Sequence, residues 1–221
     1  MPPRALSSAA AKLASIVAEH VDSSRGMTNV FVEAACRAGA HLISPWFNRR
    51  RGKKKGRKKS NKIFFRGVFC ADKIPASLLR AAAKGGAEEN SFTFVVNLAR
   101  SPSSAAPPAG LSDGHFVFVQ VGEKRADYVD PFGLRCSQPD VRAFLDSLAR
   151  RGHTVRENRR PIQSPLSLAC GLYSILFALA AEVDVPRSFF SWDPSRLSSN
   201  DRLCLNYIRQ LLSLGKGLGP K

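Results

Sequence analysis

Apolar positions recur with two different periods along this chain, and each change of period marks an element. Leu6, Leu13, Ile16, Val17 and Val21 form one stripe at helical spacing, which predicts a helix over 6–21. A second helical pattern runs from Thr28 to Leu42. IFFRGVF (63–69) is followed by the turn-like ADKIP and a short helix expected from about Pro75. SFTFVVNLA (91–99) is β-branched and aromatic, which predicts a strand. HFVFVQV (115–121) and ADYVD (126–130) predict two more. SPSSAAPPAG (101–110) has no period and three prolines, as a surface loop has. QPDVRAFLDSLARRG (138–152) reads as a helix ending at Gly152. ACGLYSILFALAAEV (169–183) is apolar nearly all round, so this helix should be buried centrally. SSNDRLCLNYIRQLLSLG (198–215) is amphipathic, with Ser199 or Asn200 as N-cap and Gly215 as C-cap. Helix, then strands, then helices predicts an α+β fold rather than a βαβ series.

Charge changes the picture next. The chain has 221 residues, 44% of them hydrophobic, enough for one domain with a core. Lys and Arg number 34 against 17 acidic residues, a net charge of +17. Ten of those cations lie in RRRGKKKGRKKSNK: Arg49, Arg50, Arg51, Lys53, Lys54, Lys55, Arg57, Lys58, Lys59 and Lys62. Such a block repels itself and cannot be buried. It fits nucleic-acid binding through counterion release or a nuclear localisation signal; the bland alternative is a solvated basic loop. No run of 18 apolar residues occurs, so no membrane span is expected. The first twenty residues resemble a signal peptide superficially, but Lys12 and Glu19 interrupt them, and an amphipathic helix fits better. Five cysteines are scattered without metal spacing, which predicts reduced thiols in cytosol or nucleus.

One of those cysteines carries candidate chemistry. Cys170 stands at the threshold of the apolar helix, after the polar, proline-containing QSPLS. A thiolate is favoured by a helix N-terminus and by a neighbouring imidazolium. A cysteine beside alanine and leucine is ordinarily a small core residue, so a base must be found. Of four histidines only His115 begins a strand, and the next strand ends in Asp130-Pro131-Phe132-Gly133. A hairpin turning at Gly122-Glu123, as a type II′ turn allows, places His115 directly opposite Asp130. A carboxylate there can hold one imidazole nitrogen and set the tautomer. Asp130 is equally suited to a plain Asp-Pro turn. Gln163 lies seven residues before Cys170; its amide and the Cys170 N–H would make an oxyanion-binding pair.

Together, His115, DPFG (130–133), Gln163 and Cys170-Gly171 resemble the adenovirus protease (adenain) family, in the order His, acid, Gln, Cys. FRGVFCADKIP (65–75), QSPLSLACGLY (163–173), NDRLCLNYIRQLLS (200–213) and LASIVAEH (13–20) extend the likeness to about two thirds of the chain. It departs where Phe116 replaces a tryptophan and Asp130 a glutamate, and residues 22–62 look like an insertion carrying the basic run. The resemblance implies one cysteine protease domain over 1–221, with an adenain/Ulp-like mixed β-sheet flanked by helices and a central Cys-bearing helix. It implies a viral endopeptidase that cleaves viral precursor proteins at Gly-containing sites. Cys170 is then the nucleophile, His115 the base, Asp130 its orienting acid and Gln163 the oxyanion donor. It also implies a DNA-associated monomer in the host nucleus and virion, with no membrane attachment and no metal or small-molecule cofactor. DNA, or an activating viral peptide, is the expected activator. Some members bond that peptide through a cysteine before the glutamine, and the corresponding stretch 150–162 has none. Two alternatives stay open. One is a protease of the same clan removing ubiquitin-like modifiers, from a virus or an intracellular bacterium. The other is a nucleic-acid-binding structural protein whose site is idle.

Overall fold

The computed structural model describes residues 29–37, 63–83, 91–99, 114–182, 190–191 and 193–216, with side chains of the last helix described as far as 208. The expected helix over 6–21, the loop 101–110 and the basic run 49–62 lie outside the described residues.

A five-stranded mixed sheet forms the centre, in the order β1-β2-β3-β4-β5. The strands are β1 (Phe64–Cys70), β2 (Phe92–Asn97), β3 (Phe116–Val121), β4 (Arg125–Val129) and β5 (Thr154–Glu157). The two outer pairs, β1 with β2 and β4 with β5, are parallel; the two inner pairs are antiparallel. Helices are α1 (29–37), α2 (Ala76–Ala83), α3 (Pro139–Arg150), α4 (Cys170–Glu182) and α5 (Leu197–Lys216). α2 and α3 make the crossovers that parallel pairing requires. The architecture is α+β, a mixed sheet flanked by helices.

Both faces of the sheet are covered, which explains why the middle strands are apolar at nearly every position. On β3 the alternation is clean. Phe116 and Phe118 pack with α1, α4 and α5, while Val117, Val119 and Val121 pack with α2 and α3. α4 is buried from Gly171 to Ala181, as its largely apolar sequence requires, with Ser174 the one serine it takes into the core. α1 belongs to the same layer: Phe31, Val32, Ala35 and Cys36 are buried against Val68, Val95 and α4. That part of the 22–62 segment is therefore core.

Three local expectations are corrected. The final helix starts at Leu197, after a 3-10 turn (Pro194–Arg196) capped by Asp193 through Ser195 N–H, so neither Ser199 nor Asn200 is the cap. It runs through Gly215 to Lys216, so Gly215 does not end it. Finally, the β3–β4 hairpin pairs Phe118 with Val129 and Val121 with Ala126, two residues out of the expected register. Its loop is Glu123-Lys124, closed by the Gly122 N–H donating to the Arg125 carbonyl at 2.7 Å. Gly122 does not adopt the positive φ that a type II′ turn would need. A two-residue shift keeps every side chain on its own face, so the core pattern survives it.

Candidate active site

Two chain segments leave the sheet side by side and carry the acid and the base. His115 enters β3, and its carbonyl accepts from Leu98 N–H at 2.8 Å. Gly114 just before it packs so tightly on Asn97 that an added Cβ would fall on the Asn97 side chain. Asn97 is fixed in turn, donating to Asn29 Oδ1 at 2.7 Å, so helix α1 helps hold the entry to His115.

Asp130 follows β4 and opens the turn Asp130-Pro131-Phe132-Gly133, closed by Gly133 N–H donating to the Asp130 carbonyl at 2.8 Å. Asp130 is 1% exposed. Its Oδ1 accepts from Phe132 N–H at 2.7 Å and meets His115 Nε2 at 2.8 Å. Asp130 does not stand directly opposite His115 as the expected hairpin had it. The observed register points Phe132 at His115 instead, and their rings stack at 4.9 Å with 28° between planes. The carboxylate reaches the imidazole diagonally, across the offset that a neighbouring strand pair allows.

With Nε2 committed to Asp130, Nδ1 is the nitrogen left for chemistry. It is buried and has no hydrogen-bond partner. Cys170 is the first residue of α4 and is partly buried and not in a disulfide. It lies close enough to His115 to raise the imidazole pKa, although its sulfur does not satisfy hydrogen-bond geometry at Nδ1. Burial is the largest single influence on His115 and opposes its charge. The hydrogen bond to Asp130, the Cys170 contact and the charges of both together outweigh it and raise the pKa to about 9. The Cys170 N–H belongs to the first turn of a helix whose bonding opens with Tyr173 N–H to the Ala169 carbonyl at 3.0 Å. First-turn amides of this kind are open donors.

Gln163 is 0% exposed. Its Nε2 donates to the Ser167 carbonyl at 2.6 Å, which uses one of two amide hydrogens, and its Oε1 is buried without a partner. The turn that presents Asp130 also places Gln163: the Pro131 carbonyl accepts from Ile162 N–H at 2.9 Å and from Gln163 N–H at 3.1 Å. Acid and glutamine are thus set by one turn. Gly133 has φ +71°, and a Cβ there would fall on the Arg160–Pro161 peptide. Gly133→Ala is expected to cost about 1–3 kcal/mol from backbone strain, with the steric overlap adding to it. A lowered melting temperature checks this, and activity should fall with it.

Sequence reasoning missed Asn158. Its Oδ1 accepts the Asp130 N–H at 2.8 Å and its Nδ2 donates to the Asp130 carbonyl at 2.6 Å, bracketing the backbone of the acid. It also missed β5, which brings Asn158 there. Thr154–Glu157 is short and lies between charged runs, so its only signal was the β-branched pair Thr154-Val155. The ring of Phe132 was part of a recognised motif, but its place over His115 was not foreseen. Arg49, Arg50, Arg51, Lys53, Lys54, Lys55, Arg57, Lys58, Lys59 and Lys62 lie outside the described residues. Among the described residues, no three His, Cys, Asp or Glu side chains gather as metal ligands, and no helix is long and apolar enough to cross a membrane.

No family model matches the chain, and no curated protein matches it. Among solved structures it is similar to the central domain of the uncharacterized Lpg1148 protein from Legionella pneumophila. The two are 14% identical, the match covers 88% of this chain and 99% of that one, and the TM-score is 0.45.

Proposed function

We propose that this protein is a cysteine endopeptidase resembling the adenovirus protease family, with an adenain/Ulp-like fold, and that it cleaves viral precursor proteins at Gly-containing sites. The observation that carries this reading is the division of labour on one imidazole. Nε2 is 2.8 Å from a buried carboxylate, and Nδ1 is buried, unpartnered and beside a helix-start cysteine. A histidine of purely structural use has no need of that split.

In the resting site His115 holds the thiol proton on Nδ1, and Asp130 stabilises the imidazolium. The Cys170 thiolate attacks the scissile carbonyl. The oxyanion is met by the Cys170 N–H and the remaining amide hydrogen of Gln163. His115 then gives its proton to the leaving amine, and the thioester forms. Water attacks with His115 as base, and the acid product leaves. The preference for glycine at the cleavage site rests on the resemblance to the adenovirus protease family.

The test is hydrolysis of a fluorogenic Leu-x-Gly-Gly peptide, with and without duplex DNA. Cleavage supports the endopeptidase. Intact peptide and intact viral precursor fragments in both states would leave the idle, structural alternative in its place. A ubiquitin-like C-terminal fusion assayed beside them separates the modifier-removing relative, which would cut the fusion in preference.

The basic run gives the enzyme a second attachment. Residues 49–62 bind DNA, concentrate enzyme and DNA-coating substrates on one polymer, and direct the protein to the host nucleus and virion. DNA affinity should fall steeply with salt, and deleting 49–62 should flatten the log–log slope by about 0.9 for each phosphate left unneutralised. Fluorescence anisotropy across a salt series reads this. Salt-independent affinity, or an unchanged slope after deletion, removes the role given to the run.

A further inference from the structure

The start of the last helix grips the Gln163 segment from both sides. Asn200 Nδ2 donates to the Ile162 carbonyl at 2.9 Å, one residue before Gln163. The same carbonyl accepts from the Tyr173 hydroxyl at 2.8 Å, and Tyr173 belongs to the Cys170 helix. That hydroxyl also lies 3.0 Å from Asp201 Oδ1, so its single proton is shared between Ile162 and Asp201. One residue after Gln163, the Ser164 N–H points between the two Asp201 oxygens, at 3.4 and 3.3 Å. The Ser167 carbonyl, three residues after Ser164, is the group that holds Gln163 Nε2.

Solubility does not require this arrangement. An aspartate turned to solvent on an amphipathic helix keeps its hydration. Asp201 is instead half-buried, and its burial raises the carboxyl above the ordinary value while the Tyr173 and Ser167 hydroxyls and the Ser164 N–H draw it back. The desolvation is tolerated because donors from two other parts of the chain converge on one side chain.

We infer that Asp201, seconded by Asn200, is the positioning residue of the oxyanion glutamine, locking the Gln163 loop in register with the Cys170 helix. This rests on the reading of Gln163 as an oxyanion donor. Asp201 touches no substrate, and its effect passes entirely through Gln163. Its removal therefore lowers kcat and leaves KM nearly unchanged, and it costs nothing further once Gln163 is gone.

The experiment compares Asp201→Ala, Asp201→Asn, Gln163→Ala and Gln163→Ala with Asp201→Ala together, each checked by thermal unfolding. Asp201→Ala should lower kcat by about 10- to 100-fold, less than the roughly 10²- to 10³-fold expected for losing an oxyanion donor outright. The double variant should match Gln163→Ala. Asp201→Asn keeps an acceptor for Ser164 N–H and should recover most of the loss. Unchanged kcat in Asp201→Ala, or losses that multiply with Gln163→Ala, overturns the inference. If Asp201→Ala does not fold, Tyr173→Phe, which removes one hydroxyl and keeps the packing, takes its place under the same criteria. If the wild type cleaves no peptide, the protease reading fails, and the side-chain amide resonance of Gln163 decides the positioning claim alone. In wild type that amide should be dispersed and slow to exchange. In Asp201→Ala it should move to the free-amide position, and an unmoved resonance overturns the claim.

Discussion

Replacing Cys170 by alanine is expected to lower peptide hydrolysis by about 10⁴-fold or more while leaving the fold intact. The size follows from the chemistry: without sulfur no thioester forms, and the other groups have only water to work with. Retention of the fold follows from the position. Cys170 is the first residue of α4 and only partly buried, so the change opens little cavity, and alanine is the better helix former. A cysteine that served only packing would show the opposite pattern, with a modest loss of stability and full activity. Thermal unfolding and initial rates on the same preparation separate the two.

The second large effect concerns Asp130. Asp130→Asn should reduce kcat on the order of 10³-fold, comparable in kind to the loss seen when a triad acid becomes an amide. Nε2 must carry its proton toward Asp130 so that Nδ1 faces the thiol; an asparagine can turn its NH2 toward Nε2 and fix the wrong tautomer. The pH dependence sharpens this. With the His115 pKa at about 9, kcat/KM for the wild type should hold on the alkaline side until the pH approaches 9 and fall beyond it. Asp130→Asn weakens the hydrogen bond that is the leading influence raising this pKa and removes the carboxylate charge that adds to it, so the alkaline limb should move to lower pH. The same linkage governs stability. Because the folded pKa is raised above the ordinary 6.5, the stabilisation from the His115–Asp130 pair is complete below 6.5 and is lost as pH rises through about 9. A variant whose alkaline limb stays in place would show that His115 is not the titrating base.

Much of this site was legible because its residues are chemically scarce. Four histidines and one cysteine at a helix start leave few combinations, and DPFG announces its own turn. The apolar run of α4 demanded burial without further help. The hairpin register was misread because Gly122 looks like a turn glycine, whereas the loop closes one residue later on Glu123 and Lys124. The face was still right, since an even slip preserves it. Asn158 and Asp201 were not legible, and the reason is physical. Both act on backbone groups 28 and 37 residues away, through contacts that only the tertiary fold creates. A polar residue that holds a distant peptide group looks like any surface polar residue in one dimension. β5 was hidden for a related reason: four residues gain strand geometry from pairing with β4, and their own composition hardly asks for it.

The most direct test of the central claim is where a Gly-Gly electrophile bonds. The protein would be incubated with a Leu-x-Gly-Gly peptide whose terminal carboxyl is replaced by a vinyl sulfone, to which a thiolate adds irreversibly as a thioether, then weighed intact and mapped by peptide mass. One adduct per chain is expected, on Cys170 alone among the five cysteines and absent in His115→Ala. No adduct, or labelling spread over Cys70 and other thiols and indifferent to His115, would contradict it.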